Sequence, residues 1–286
     1  MSRKKTSFDF ITTRRFYERP RVALTIGGSD PTGGAGIQTD LKTFQHFGVH
    51  GLSAITAVTV QNTSGVISKN PVSAELVREQ LETLANDIEF SVAKIGMLPS
   101  VEIVHVVAEF FNRKAIGIPV VLDPIIASSN GVRFMDDDAI QTLKENLLPL
   151  VTIITPNLSE TEVLTGLRME TEDSIIHASL LLHDMGAKAM LIKGGHASGG
   201  ESRDLFYDGL SIEWLSAPRI SKQVHGTGCL LSSAIASSLA MGMTLRDSVI
   251  EAKDFITSML EHAVPLGSGQ EIFQYPYFLI DSLLVD

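Results

Sequence analysis

Two glycine-rich stretches hold the residue types best suited to chemistry. Gly226-Thr227-Gly228-Cys229 stands directly before a run of small and apolar residues, 230–241, that reads as a helix. The first amides of a helix lack intrahelical partners and carry partial positive charge, so this turn predicts an anion site that needs no basic patch. Cys229 falls in that first turn. A thiol there is expected to titrate below its ordinary value of about 8.5, which makes it a candidate base or nucleophile near neutral pH. The ordinary alternative is a small hydrophobe packed under the helix. His225, just ahead, reads as a turn residue and is not assigned to the site.

The other stretch, GGSDPTGGAGIQTD from Gly27 to Asp40, places five glycines in its first ten positions, directly after the apolar run RVALTI. It is not a dinucleotide fingerprint, because after Gly34 and Gly36 the third glycine would fall at Thr39. The P-loop also fails: Gly28 and Gly33 have the right separation, but Gly34 and Ala35 stand where Lys and Ser or Thr are required. What remains is a strand ending in a bare turn that enters a helix through Ala35-Gly36. Such a backbone lets a ligand lie against it, at the strand end where open α/β sheets bind ligands.

The elements that must position these turns follow from periodicity. β-branched runs at 22–26, 53–60, 92–96, 118–123, 151–155 and 189–195 read as strands. Amphipathic stretches near 35–47, 73–87, 100–114, 136–147 and 172–185 alternate with them as helices, and two more, near 227–241 and 245–262, close the chain. This order predicts an α/β domain with a mostly parallel sheet flanked by helices. Asp208-Gly209 signals a hairpin and thus a short antiparallel edge.

Composition narrows the classes. The chain has 286 residues, 44% hydrophobic, which suits one large core, so a single domain over 21–286 is expected after an N-terminal extension at 1–20. A formal net charge of −10 disfavours nucleic acid as a partner. No apolar run is long enough to span a membrane, and the leader lacks the apolar core of a secretory signal. With Cys229 as the single cysteine, this points to the reducing cytoplasm.

In chain order, ALTIGGSDPTGGAGIQTDLKTF, TAVTVQNT, AKIGML, VVLDPII, ITPNLSE, LIKGGH and HGTGC resemble the hydroxymethylpyrimidine/phosphomethylpyrimidine kinases of thiamin biosynthesis, a branch of the ribokinase-like superfamily. The resemblance implies a three-layer ribokinase-like fold, ATP and Mg²⁺ as cofactors, a small pyrimidine substrate phosphorylated twice, and a homodimer. By the same resemblance, Ala35, Asp40, Gln61 and Met97 match substrate-contacting positions. Asp123 and Glu160 match positions that organise magnesium, while Asn157, Lys193 and Thr227 match nucleotide-contacting ones. The amides of Gly226, Thr227, Gly228 and Cys229 would hold the transferring phosphoryl group, with Cys229 taking the proton of the substrate hydroxymethyl group. Each residue also has an ordinary reading: Asp40 can pair on its helix, Met97 can be core, Lys193 can be solvated, and Asn-x-x-Glu is a common helix cap.

The chain departs from the family at its end, where PLGSGQEIFQYPYFL lacks the expected Gly-Pro-Val-Asn-His. No second domain such as a thiamin-phosphate synthase is expected. A pyridoxal kinase on the same fold is the main alternative, and a nucleotide-binding regulator without catalysis is another. His46 and His50 bracket Gly48 without the further ligands a zinc site needs.

Overall fold

Ala23 and Leu24 are neighbours on one strand, both fully buried, yet they belong to different cores. The same alternation recurs at Val120-Val121, Ile153-Ile154 and Met190-Leu191, because successive side chains of a strand point to opposite faces. A sheet buried on both faces needs a helical layer on each. The computed structural model describes residues 20–194 and 200–275.

Nine strands form one sheet in the order β3-β2-β1-β4-β5-β6-β7-β8-β9. They are β1 (Arg21–Ser29), β2 (Val49–Asn62), β3 (Gly65–Pro71), β4 (Val92–Ile95), β5 (Val120–Leu122), β6 (Ile153–Ile154), β7 (Met190–Ile192), β8 (Glu201–Tyr207) and β9 (Ile212–Pro218). The six from β2 to β7 are mutually parallel, whereas β3 pairs antiparallel with β2, and β8 and β9 run antiparallel at the other edge.

One face is covered by α1 (Gly36–His46), α7 (Thr227–Ala240) and α8 (Leu245–Glu261), which bury Phe44, Leu231, Ile235 and Val249 against it. The other carries α2 (Ala74–Asp87), α3 (Val101–Arg113), α4 (Asp137–Thr142), α5 (Leu158–Thr165) and α6 (Glu172–Asp184), and its core includes Val77, Ile103, Ile140, Leu164 and Leu182. Helix starts follow local chemistry: Ser73, Ser100, Asp136, Asn157, Thr171 and Thr244 each accept an amide of the first turn.

The α/β order and the hairpin at Asp208-Gly209 match the sequence expectation. β3 was not anticipated. Most of its residues are exposed and only Val66 is buried, so it has no apolar period of its own and exists by pairing with the end of β2. Of the expected leader, residues 1–19 lie outside the described residues, as do Gly195 in LIKGGH and 276–286.

Candidate active site

The parallel strands deliver their carboxyl ends to one edge, where β1 runs into the first glycine segment, β4 into Gly96-Met97, β5 into Asp123, β6 into Asn157 and β7 into Lys193. The two glycine segments meet there. Gly226, the N-cap of α7, has φ 81°, and a Cβ on it would lie 2.0 Å from the Gly34 carbonyl oxygen. Gly36 is equally enclosed, its missing Cβ falling 2.4 Å from the carbonyl of Gly28. These glycines permit backbone to lie on backbone.

No side chain caps α7, so its opening amides face the strand ends with the positive end of the helix behind them. Against that turn lies an ion pair: Lys193 Nζ is 2.9 Å from Asp123 Oδ1. A Cβ at Gly228 would stand 3.0 Å from Asp123 Oδ2 and 3.1 Å from Lys193 Nζ, so glycine keeps the helix start close to both charges. Asn157 and Glu160 form a reciprocal cap: Glu160 N–H donates to Asn157 Oδ1 at 2.8 Å, and Asn157 N–H to Glu160 Oε2 at 2.7 Å. Burial pushes the Glu160 carboxyl up to about 7, with Lys193 drawing it down and Asp123 adding to the rise. Asn157, Glu160, Asp123, Lys193 and Gly228 are thus one neighbourhood, and the capping reading of Asn-x-x-Glu holds within it.

Cys229 is buried, 5% exposed, and its thiol is pushed up to about 12 by burial, although the Lys94 ammonium and the Gly36 N–H draw it down. The expected lowering of this thiol is therefore corrected. A helix start favours the thiolate, but removing the sulfur from water disfavours it more.

Asp40 requires a second correction. Its carboxylate is 0% exposed and accepts from Lys94 Nζ at 2.9 Å on each oxygen, from the Thr25 hydroxyl at 2.5 Å and from the Ser233 hydroxyl at 2.6 Å. These partners use its acceptors and enclose it, so it cannot be a direct substrate contact in this arrangement. It binds α1 to β1, β4 and α7. Thr25 and Lys94 occupy strand positions that face the α1 and α7 layer, in step with Ala23 and Val92.

Met97 is buried, with Ala57, Val66 and Phe134 around it, and its Sδ lies where a Gly28 side chain would be. Ala35 and Gln61 are half-buried, and both hydrogen-bond the carboxylate of Asp30. Thr227, also half-buried, opens α7. Sequence reasoning missed Asp30, Lys94 and His225. A usable signal for Lys94 was a lone lysine inside the apolar strand VAKI, since a lysine that enters a core needs a partner.

The chain is similar in sequence and fold to known kinases. The phosphomethylpyrimidine kinase family profile matches residues 30–274. A hydroxymethylpyrimidine/phosphomethylpyrimidine kinase of Haemophilus influenzae is 44% identical over 255 residues, covering 87% of this chain and 94% of that protein. Among solved structures, a Bacillus subtilis pyridoxal kinase in an ADP complex superposes with a TM-score of 0.82 at 36% identity, covering 90% of this chain and 97% of that one. The phosphomethylpyrimidine kinase of Clostridium difficile gives a TM-score of 0.74 at 36% identity, with 83% and 98% covered. A profile spanning most of the chain and full-length relatives of this identity place the chain in the phosphomethylpyrimidine kinase family.

Proposed function

We propose that the chain transfers the γ-phosphoryl group of ATP to the hydroxymethyl oxygen of 4-amino-5-hydroxymethyl-2-methylpyrimidine, then phosphorylates the monophosphate to the diphosphate, as steps of thiamin biosynthesis. The observation that carries this reading is the uncapped start of α7 lying against the Asp123–Lys193 pair at the strand ends, in a chain of this kinase family.

Phosphoryl transfer asks the protein mainly for positioning and charge compensation. The amides of Gly226, Thr227, Gly228 and Cys229 hold the transferring phosphoryl oxygens, a device that works in a protein of net charge −10. Lys193 leaves Asp123 for the triphosphate, and Asn157 and Thr227 complete the nucleotide contacts. Magnesium fits the donor set, because Asp123 and Glu160 offer hard carboxylate oxygens. Among the described residues no cluster of three or more His, Cys, Asp or Glu could hold a metal. When bound, that ion neutralises charge on the phosphates.

The acceptor ring lies against Gly28, Ala35 and Met97, with Gln61 offering both a donor and an acceptor to the aminopyrimidine edge. Asp40 acts beneath it as a positioning residue. Cys229 takes the hydroxymethyl proton. Lys94, the Gly36 N–H and the α7 start favour its thiolate, while burial pushes the thiol up to about 12. A loose transition state releases the acceptor proton late, which relaxes the demand on this base.

A pyridoxal kinase is the second reading, supported by the superposition on the Bacillus subtilis enzyme. ADP release with hydroxymethylpyrimidine, its monophosphate and pyridoxal separates the two: both pyrimidines should exceed pyridoxal in kcat/KM, and turnover of pyridoxal alone would overturn the first reading. Cytoplasmic residence and a homodimer complete the proposal. Val58, Val60 and Ile67 at the β2–β3 edge are exposed hydrophobics that a second copy would cover, which sedimentation can test. Among the described residues no helix is long and apolar enough to cross a membrane.

A further inference from the structure

His225 does not belong to the motif-based site, yet it stands where the two glycine segments are joined. Its Nε2 is 3.1 Å from Asp30 Oδ2, and a side chain at Gly34 would come within 2.9 Å of its Cδ2. Asp30 is 2% exposed and serves as the hub of the first segment. Its Oδ1 accepts the Thr32 N–H at 2.8 Å, its Oδ2 accepts the Ala35 N–H at 2.8 Å, and the Thr32 hydroxyl reaches both oxygens at 2.9 Å. Gln61 hydrogen-bonds the same carboxylate from the end of β2. Burial would raise this carboxyl, but the hydrogen bonds from His225, Thr32 and Gln61 hold it at about 2, so it is ionised throughout the neutral range.

On the other side, His225 immediately precedes the Gly226 N-cap of α7, and its own N–H donates to the Glu271 carbonyl at 2.8 Å. One carboxylate therefore touches two residues of the proposed acceptor pocket, Ala35 and Gln61, and also the residue that leads into the phosphoryl-holding turn. The turns themselves also approach backbone on backbone, Gly226 against Gly34. That contact fixes distance, whereas a directional side-chain bond can fix register as well.

We infer that Asp30 and His225 form a joint that sets the acceptor pocket in register with the phosphoryl-holding turn, acting as positioning residues for the transfer. The inference rests on the functional reading above and adds to it a pair that is assigned no contact with the reacting atoms. In-line transfer is sensitive to such register, since a displacement of about 1 Å between reactants can cost on the order of 10²-fold in rate.

His225→Ala and His225→Gln test the joint, with wild-type protein assayed in parallel. His225 lies at a partly exposed position, and glutamine keeps an N–H donor for Asp30. For His225→Ala, kcat with hydroxymethylpyrimidine should fall about ten- to a hundredfold, with the Kd for Mg-ADP changed by less than about threefold. His225→Gln should recover most of the loss. Wild-type kcat in the alanine variant would overturn the inference, as would a folded glutamine variant that falls as far as alanine. If the alanine variant does not fold, the glutamine variant decides alone, because the joint requires it to be folded and active. Wild-type protein that turns over pyridoxal but no pyrimidine would contradict the functional reading instead, and the same kcat comparison would then be made with pyridoxal.

Discussion

Gly226 and Gly242 share a left-handed backbone, with φ of 81° and 87°, but only Gly226 has a carbonyl where its side chain would be. Gly242→Ala should therefore cost only the conformational penalty, about 1–2 kcal/mol by urea unfolding, and leave turnover within about twofold. Gly226→Ala must displace the Gly34 carbonyl and separate the segments, so its turnover should fall by at least about tenfold. Equal turnover in the two variants would contradict the close approach. Cys229 is open to a cleaner test because it is the single cysteine. Cys229→Ala should lower kcat by about 10²-fold, the usual worth of a general base. With the thiol pushed up to about 12, iodoacetamide labelling of the free protein should be slow at neutral pH and still rising beyond about pH 9. A plateau near neutrality would show a thiolate already formed in the free chain.

At the scale of elements, the buried pair Lys94–Asp40 ties α1 to β4 with both side chains removed from water. Lys94→Met leaves a buried carboxylate without its cation and should destabilise the protein by about 3–5 kcal/mol in urea unfolding. The exposed pair Arg246–Glu213 provides the contrast, and Arg246→Met should cost less than about 1 kcal/mol. Similar losses from the two would contradict the structural role given to Lys94. The elements themselves were largely legible in the sequence, because Ser73, Asn157 and Thr244 signal helix starts and each central strand reads as a short apolar run. What escaped were pairings made across the chain. Lys94 meets Asp40 from 54 positions away, and His225 meets Asp30 from 195, so no local pattern announces either. Cys229 was misjudged for the same reason: the helix start is local, while the burial that outweighs it comes from the surrounding layers.

At the scale of the molecule, two helical layers clamp a sheet whose parallel strands all end at one edge, and the residues at that edge come from widely separated parts of the chain. The described part of the segment that departs from the family pattern, residues 265–275, packs beside this edge. Gln270 N–H donates to the Thr63 carbonyl at 2.8 Å, Gly269 N–H to its hydroxyl at 3.2 Å, and the Tyr275 and Thr43 hydroxyls are 2.8 Å apart. Residues 269–275 thereby tie the β2–β3 turn and α1 to the stretch that leaves α8. The proposed phosphate binding by the α7 amides and Lys193 draws on several of these elements at once. Phosphorus NMR of the purified protein with Mg-ATP and hydroxymethylpyrimidine tests the central claim most directly. A phosphomonoester signal that appears first and gives way to the paired signals of a pyrimidine diphosphate is the expected result; unchanged ATP, with a phosphoester formed only when pyridoxal is supplied, would contradict it.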